Sequence, residues 1–600
     1  MPVPQALDPI RATLRPLSLA QHELEVELAL PAELVAQGPV MALPAWTPGS
    51  YLVRDYARFL DRLCLVDAKG VSHPVEKLDK QRWQLPILKG AARLRYRLFC
   101  NELTVRTNHM DATHAHLVGA ATFLYPEAEP GRPFLVGFEG FPKGWKTASS
   151  LPKSGKYYCA ENHDALVDSP FELGTFRLHS WRSGETDFAF AITGEHPGDE
   201  ARILEATARM VEACRGIFGG FPFDRYLFLL TFSPGLRGGL EHRDCTSLIA
   251  DPFRLDTPEG YGELYLLIAH EFFHVWNVKR LRAPELGPFD YSGENCTRLL
   301  WFHEGFTSFM QYVIALKAGV VAWPWVAGKL AAAWTDNTIR AGRREQSLEA
   351  SSWDAWIRHY KPTEFSTNGT VSYYEKGALI AWMMDARIRL GSRGKHGLES
   401  LFAQLWQEVG DGFVTDALLR KAYEALSGEA AEGFWGPWIQ GVEELDASSI
   451  ERAYGLHFET WAPWERLSEE EAQNPVTLAR AKGYSGLSFG NGSPSIQNVV
   501  PDSPAAEAGL SYGHEILAVN GWRTSTAIEV QKRMEEVGVD GEAEVLAADR
   551  GRVRTHRFRL VENPTRSVRI IMDPKANASQ GAAFRMLTGT EHTAAKRKAR

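Results

Sequence analysis

Cysteine is scarce in this chain of 600 residues. The six cysteines are Cys64, Cys100, Cys159, Cys214, Cys245 and Cys296. They stand singly, with no CxxC spacing, which argues against a zinc ribbon and against a disulfide scaffold. Reduced and mostly buried thiols are therefore expected.

Long apolar runs and an excess of positive charge are also missing. No stretch reaches the roughly 18 apolar residues that a membrane helix requires, so no membrane span is expected. Met1 to Leu17 is broken by prolines and arginines, and this pattern predicts no signal peptide. Lys and Arg number 66 against 74 Asp and Glu, for a net charge of −8, which gives no indication of a nucleic-acid partner. A soluble cytoplasmic protein is the expectation.

Hydrophobic residues make up 44% and charged residues 23% of the chain, as is ordinary for globular proteins, and the length predicts roughly three to five domains. Apolar residues alternate with polar or small ones near the N-terminus, and this period of two predicts half-buried strands. The alternating residues are Leu24, Val26, Leu28 and Leu30, then Leu94, Tyr96 and Leu98. The first part of the chain is therefore predicted to be rich in β-structure.

The central motif is His270-Glu-Phe-Phe-His274, inside a mostly apolar stretch that predicts a buried helix from Gly262 to Arg282. Residues four apart on a helix lie on one face, so the two imidazoles can bind one metal ion. Glu271, beside the first histidine, can take a proton from water and pass it to a leaving amine, which is the general-base role in metalloproteases. The alternative is a buried helix that carries two histidines and one glutamate by chance. This alternative is disfavoured, because burying titratable groups without partners is costly.

A catalytic zinc ion needs a third protein ligand. Arg280 stands where the extended metzincin pattern requires histidine, so that pattern is excluded. The carboxylates within reach are Glu285, Asp290, Glu294 and Glu304. The first three lie in a Pro- and Gly-punctuated loop that is typical of solvent-facing chain. Glu304 lies in an apolar segment and is the predicted third ligand.

These motifs resemble the gluzincin aminopeptidases and, within them, the glycyl aminopeptidase family. The pattern His270-Glu-Phe-Phe-His274 is followed by Trp301-Phe-His-Glu304-Gly-Phe-Thr307, and the 29 residues between His274 and Glu304 fit the longer gap of that family. The resemblance implies a thermolysin-like zinc peptidase domain with a large helical part, one Zn²⁺ per chain, and release of N-terminal residues such as glycine or alanine from peptides with a free N-terminus.

Two further segments resemble the same family. Gly238-Gly239-Leu-Glu241-His242 is similar to the exopeptidase signature, and the resemblance implies that Glu241 binds the substrate amine. Tyr373-Tyr374-Glu-Lys-Gly-Ala378 is similar to the segment whose tyrosine, here Tyr374, donates a hydrogen bond to the developing oxyanion. Independently, the two adjacent glycines beside the predicted strand Arg225 to Phe232 allow an extended substrate to pair along that edge.

Two other segments have competing interpretations. Trp46-Thr-Pro-Gly-Ser-Tyr51 resembles a segment of the same peptidase family, and a turn with a packed tryptophan is as well supported as a substrate-side role. His109, His114 and His116 are a rival metal cluster, but their spacing without cysteine favours a structural or solvent-facing role.

The C-terminal part resembles a PDZ domain of the bacterial protease-associated kind. The resemblance rests on Gly483-Tyr-Ser-Gly-Leu-Ser-Phe489 and on Val500-Pro-Asp-Ser-Pro-Ala-Ala-Glu-Ala-Gly-Leu510. Such a loop implies a peptide or chain terminus as ligand, although Ser488 replaces a glycine of the usual pattern. A purely structural accessory domain is the alternative.

The sequence thus predicts a multidomain α+β protein. The predicted parts are an N-terminal β-rich domain (1–168), a gluzincin catalytic domain (169–465), a PDZ domain (477–562) and a C-terminal tail (563–600), whose Ala, Lys and Arg content favours partial disorder. The predicted function is a zinc-dependent aminopeptidase. The alternative is a PDZ-centred peptide-binding protein whose zinc domain is an endopeptidase or inactive.

Overall fold

A computed structural model describes residues 7–490 and 492–592. Contacts divide the chain into two compact units. The first contains residues 1–297, 310–320 and 402–415, and the second contains residues 298–309, 321–401 and 416–600. The four predicted domain ranges stay predictions.

The N-terminal part of the first unit is built mainly from β-sheet, as predicted. The strands of its largest sheet, in spatial order, are Lys153–Ser154, Tyr157–Ala160, Phe134–Phe138, Ile10–Ser18, Glu23–Leu30, Ala92–Phe99, Leu60–Asp67 and Ser72–His73. Leu24, Val26, Leu28 and Leu30 are buried while their neighbours are half-exposed, which confirms the predicted alternation.

Two four-stranded sheets accompany this large sheet. One orders Lys146–Ala148, Phe171–Gly174, His114–Leu117 and His109–Met110, and the other orders Tyr125–Pro126, Val40–Ala42, Arg82–Gln84 and Glu76–Lys77. A shared core of apolar side chains extends from Ile10 to Leu173. The β-rich part therefore has a hydrophobic core of its own.

A five-stranded sheet follows in the first unit. Its spatial order is Arg177–Ser183, Thr186–Thr193, Arg225–Phe232, Cys245–Ala250 and Gly238–Glu241. The three middle strands run parallel and the two outer strands antiparallel to their neighbours. Gly238–Glu241 is the last strand, so the glycine pair lies at an edge of the sheet.

The helix that carries the histidine motif spans Pro258–Phe273, and we call it the His270 helix. It begins with Thr257 as N-cap and ends at Phe273, three residues after His270, so the predicted range of Gly262 to Arg282 was wrong at both ends. Val278 has φ of 119°, which an α-helix cannot accommodate. The backbone amide of Lys279 instead donates a hydrogen bond to the carbonyl oxygen of His274 at 3.0 Å.

The remaining helices of the first unit are short, apart from one. They are Ala32–Val35, Tyr56–Phe59, Gly119–Thr122, His163–Val167, Glu200–Phe218, Pro252–Asp256 and Pro284–Leu286. Glu200–Phe218 is an amphipathic helix that buries Ile203, Met210 and Cys214. Strands Leu281–Arg282 and Gly412–Phe413 also pair in this unit.

The second unit is mainly helical up to about residue 455, as predicted. Its helices, including three π-helical segments, are Trp301–Phe306, Trp323–Ile339, Ala341–Arg344, Leu348–Trp353, Ala355–His359, Ser366–Gly369, Glu375–Gly391, Asp416–Ser427, Glu432–Trp435, Gly436–Gln440 and Ser448–Tyr454. Thr307–Lys317 and Leu398–Val409 are two more helices of the chain, and each contains a boundary between the units.

The C-terminal part of the second unit contains a small β-module. Its four-stranded sheet orders Trp522–Arg523, Glu515–Val519, Glu542–Asp549 and Arg552–Arg559, and Leu487–Phe489 pairs separately with Ile496–Val499. Helix Ala527–Val537 packs its buried Val530 and Met534 into the module's own apolar cluster. The remaining strand pairs are Gly483–Tyr484 with Val561–Glu562, and Leu456–Trp461 with Ser567–Met572. The remaining helices are Pro463–Arg466, Glu469–Gln473, Pro475–Lys482, Pro504–Glu507 and Ala578–Thr588.

The tail was predicted to be partly disordered, but part of it is ordered. It contains the helix Ala578–Thr588, whose Phe584 and Leu587 are buried. Residues 593–600 lie outside the described residues, as do residues 1–6 of the N-terminal segment for which no signal peptide is predicted. Among the described residues, no helix combines the length and the hydropathy needed to cross a bilayer.

Candidate active site

The two motif histidines lie at the C-terminal end of the His270 helix, and each has an oxygen partner on Nδ1. His270 Nδ1 lies 3.1 Å from Gln311 Oε1, and His274 Nδ1 lies 2.7 Å from the backbone oxygen of Asn277. Because these oxygens only accept, each Nδ1 carries the hydrogen and each Nε2 keeps its lone pair. This arrangement is typical of metal-binding histidines.

The early end of the helix explains the second of these bonds. After Phe273 the chain turns, and the turn brings the carbonyl of Asn277 onto the ring of His274. Neither Asn277 nor Gln311 was singled out from the sequence. The carbonyl of a residue three positions after a histidine can reach the imidazole Nδ1 only if the helix has ended between them. No sequence pattern predicts where this helix ends.

Glu271 projects toward the edge strand of the five-stranded sheet. The ligand atoms of Glu241, Glu271 and His274 all lie within 4.8 Å of one another, and all three side chains are buried. A Cβ added to Gly239 would lie 2.0 Å from Glu271 Oε1. Gly239 therefore makes room for the Glu271 carboxylate itself.

Replacing Gly239 with alanine tests this contact. We expect Gly239→Ala to displace the Glu271 carboxylate and to lower turnover by at least about tenfold, since the sequence predicts Glu271 as the general base and a small misplacement of such a group is costly. Steady-state kinetics on free-amine peptides measure the effect. Gly216→Ala, in helix Glu200–Phe218 with no atom within 4 Å of the added Cβ, is the matched control. Equal rates for both variants would contradict the contact.

Glu241 ends the edge strand and is 3% exposed. Its Oε1 has no hydrogen-bond partner among the described residues. A Cβ added to Gly49, which has φ of 85°, would lie 2.5 Å from that oxygen. The Trp46-Thr-Pro-Gly-Ser-Tyr51 segment is therefore a turn whose glycine packs on the Glu241 carboxylate.

The chain next to Glu241 is held by a buried ionic group. His242 Nδ1 lies 3.3 Å from Asp168 Oδ1, and Lys279 Nζ donates to the same oxygen at 2.6 Å. Burial opposes ionisation of Asp168, but Lys279 and His242 outweigh it and hold the pKa of that carboxyl below its usual value. Asp168 also accepts the backbone amide of Arg243 at 2.7 Å. The end of the edge strand is thereby fixed in place.

The two glycines of the edge strand differ in their surroundings. Arg106 donates from Nη2 to the carbonyl oxygen of Gly239 at 2.9 Å. A Cβ on Gly238 would meet its nearest atoms, on Arg106 and Val105, at 3.6 and 3.7 Å. Gly238 therefore has more room around it than Gly239, and the Gly239 carbonyl already has a hydrogen-bond partner.

Glu304 belongs to the second unit and lies in the π-helical segment Trp301–Phe306. It is 2% exposed, while Glu285, Asp290 and Glu294 are all exposed. The predicted contrast between a buried carboxylate and three solvent-facing ones is confirmed. A π-helical turn is rare and frequently occurs at functional sites.

Tyr374 lies in the same unit as Glu304 and is the N-cap of helix Glu375–Gly391. Its hydroxyl lies 3.0 Å from that of Tyr360, and its ring stacks on Tyr373. Burial, and after it the charge of Glu304, raises the pKa of Tyr374 well above the ordinary value of 10.0. The phenol therefore keeps its proton at neutral pH and can donate a hydrogen bond.

Two glycines bring the Glu304 segment close to the Tyr374 helix. A Cβ on Gly305 would lie 2.6 Å from the Cα of Gly377, and a Cβ on Gly377 would lie 2.8 Å from the Cα of Gly305. The glycine in each motif thus permits backbone contact between the two segments. Gly305 and Gly377 therefore act in packing, a role that could not be inferred from the sequence motifs alone.

Two family models match parts of the chain. Residues 12–175 match the model of the peptidase M61 N-terminal domain, and residues 263–380 match the model of the M61 glycyl aminopeptidase. No curated protein sequence matches the chain.

Two solved structures are similar to the chain. An aminopeptidase N family protein from Idiomarina loihiensis is 27% identical with a TM-score of 0.87, and the match covers 96% of this chain and 100% of that one. An M1 zinc metallopeptidase mutant from Deinococcus radiodurans, bound to a Tyr-Ser-Ala substrate, is 13% identical with a TM-score of 0.46, covering 74% of this chain and 95% of that one. The two family-model matches, together with the first of these structures, support the M61 peptidase family for this chain.

Proposed function

We propose that the chain is a zinc-dependent aminopeptidase that releases small N-terminal residues, glycine or alanine, from peptides. The observation that carries the proposal is the buried group of Glu241, Glu271 and His274, in which one oxygen of Glu241 has no partner among the described residues. A buried carboxylate without a partner is costly. A substrate amine would supply that partner.

The metal would be held by His270, His274 and Glu304. The ring centroids of His270 and His274 lie 4.7 Å apart and Glu304 is a buried carboxylate. Two imidazole nitrogens with one carboxylate are a common zinc-binding set in peptidases. The Nδ1 partners of both histidines further support the fit. When bound, zinc supplies a Lewis acid that polarises a carbonyl group and lowers the pKa of water.

Glu271 would act as the general base. Its carboxylate takes a proton from the attacking water and returns it to the nitrogen of the leaving amine. The tight contact with Gly239 fixes the carboxylate, so little motion is needed before transfer. Tyr374 would donate its hydroxyl hydrogen to the oxygen that gains negative charge, an interaction that strengthens only in the transition state.

Glu241 would bind the protonated N-terminus of the substrate. A charge-assisted hydrogen bond to a buried carboxylate is stronger than a neutral one. An acylated amine carries no positive charge, so Glu241 would be left buried without a partner and that substrate rejected. Gly238, at the open part of the edge strand, would accept the backbone of the first substrate residues.

Glu241→Ala tests the function through the choice of substrate. We expect wild-type protein to turn over glycyl and alanyl substrates with a free amine at least about tenfold faster than their N-acetylated forms. We expect Glu241→Ala to remove most of that preference. The ratio of kcat/KM for the two substrate forms measures it, with and without a zinc chelator.

Glu259→Ala is the matched control, because Glu259 is an exposed acid in the first turn of the His270 helix, and its ratio should equal that of wild type. No turnover of free-amine substrates by zinc-loaded wild-type protein would overturn the aminopeptidase proposal. Equal losses on both substrate forms in Glu241→Ala would favour the endopeptidase alternative.

We further propose that residues 477–562 form a PDZ domain that binds a peptide or chain terminus. The support is the pairing of Leu487–Phe489 with Ile496–Val499, the helix Ala527–Val537, and the loop in which Gly486 has φ of 85°. Within the described residues, Leu487–Phe489 pairs with one strand alone. Its other edge would accept the ligand as an added strand.

A further inference from the structure

The hairpin His109–Met110 and His114–Leu117 contains a second group of metal-ligand side chains. All three of its histidines are buried, which excludes the solvent-facing alternative and leaves the structural one. His116 Nδ1 contacts Glu172 Oε2 at 3.1 Å. The other two histidines lie together, with ring centroids 4.9 Å apart, beside Asp111 in the turn.

Asp111 uses one carboxylate oxygen to build the turn. Its Oδ1 accepts the backbone amides of Thr113 and His114, at 2.7 and 3.1 Å, and the hydroxyl of Thr113 at 2.6 Å. The other oxygen, Oδ2, lies 3.3 Å from His109 Nε2. The turn therefore fixes the carboxylate while Oδ2 stays available to a ligand.

The hydrogen bonds of the turn also fix the tautomer of His114. The Thr113 hydroxyl has one hydrogen and donates it to Asp111, so at its 3.0 Å contact with His114 Nδ1 it accepts. His114 thus carries its hydrogen on Nδ1, and Nε2 keeps a lone pair. That nitrogen is buried and has no hydrogen-bond partner among the described residues.

His109 makes fewer hydrogen bonds than His114. It is 7% exposed, and neither of its ring nitrogens meets hydrogen-bond geometry within the described part of the chain, although Nε2 lies 3.3 Å from Asp111 Oδ2. Buried side-chain nitrogens normally have a partner, and each exception requires an explanation. A bound cation would supply one for both histidines.

We propose that His109, Asp111 and His114 bind one zinc ion. Their ligand atoms all lie within 4.8 Å of one another, and two imidazole nitrogens with one carboxylate oxygen match the ligand preference of zinc. The ion enters past Asp111, which is the partly exposed member. The site ties both strands of the hairpin to its turn, and it shares no residue with the proposed catalytic set.

Metal counting on the full-length protein tests the proposal. The protein is stripped with a chelator and titrated with Zn²⁺ and, separately, with Co²⁺, whose visible absorption reports the ligand geometry. We expect two tight equivalents in wild type and one in His109→Ala/His114→Ala. We also expect His270→Ala/His274→Ala to retain the second equivalent, and this result does not depend on whether the protein is an aminopeptidase.

Asp111→Asn is a milder variant that tests the same site if His109→Ala/His114→Ala does not fold. Asparagine keeps an oxygen that can accept the turn hydrogen bonds but loses the charge, so zinc affinity at this site should fall by at least about tenfold. His73→Ala, at another strand of the β-rich part, is the matched control and should retain both equivalents.

Thermal unfolding gives an independent readout. In the His270→Ala/His274→Ala background, Zn²⁺ should raise Tm, because a ligand that binds only the folded state stabilises it. Adding Asp111→Asn should reduce that shift. One equivalent in wild type that disappears with His270 and His274, or a second equivalent that survives His109→Ala/His114→Ala, would overturn the proposal.

Discussion

Glu271→Gln should lower the turnover of free-amine peptides by about 10²-fold or more while zinc stays bound. Glutamine keeps the shape that fits against Gly239 but cannot accept a proton. Because the side chain lies within 4.8 Å of Glu241 and His274 and is buried, no solvent-borne base can easily replace it. The loss should appear in kcat and kcat/KM alike, since the proton moves only during reaction.

Glu259→Gln is the matched control for this variant. It makes the same chemical change on the same helix, at an exposed position, and should leave the kinetics near wild type. Zinc content is measured on both proteins, so that loss of metal is separated from loss of the base. A zinc-loaded Glu271→Gln protein that works at nearly the wild-type rate would show that Glu271 is not the base.

Much of the local structure could be predicted from the sequence because it depends on short-range periodicity. Alternation at Leu24 to Leu30 predicted a half-buried strand, and the structure contains it. The contrast between buried Glu304 and exposed Glu294 followed from the apolar and polar character of their segments. In each case the information lies within one element.

The end of the His270 helix could not be predicted in this way. Val275, Trp276 and Val278 are apolar and compatible with a helix, yet the chain leaves the helix after Phe273. The turn is stabilised by bonds that helix patterns do not include, among them the contact of Asn277 with His274 Nδ1. The irregular backbone after Phe273 therefore orients the imidazole ring of His274.

Contacts between distant segments were equally inaccessible. Gly49 packs on Glu241 across almost two hundred residues of sequence, and Gly239 packs on Glu271. A glycine in a sequence signals freedom of the backbone but not which side chain will occupy the space that it leaves. The tertiary fold alone assigns these glycines to the two carboxylates.

Glu304→Ala should remove the catalytic zinc, whereas Glu294→Ala should leave it in place. Glu304 is 2% exposed, and a carboxylate is retained at such a position when it is paired or binds a metal. Alanine leaves two histidines, which form an incomplete set for a catalytic zinc ion. Activity on free-amine substrates should be lost together with the metal.

The measurement is made in the His109→Ala/His114→Ala background, so that one equivalent of zinc is expected before the third ligand is changed. Elemental analysis of folded protein, checked by circular dichroism, should then give about one equivalent for Glu294→Ala and far less for Glu304→Ala. Glu304→Gln keeps the size of the side chain and should bind zinc more weakly than glutamate, because an amide oxygen carries no charge. If Glu304→Ala retained its zinc and Glu294→Ala lost it, the third ligand would have to be reassigned to the exposed loop, and the burial of Glu304 would then need another cause.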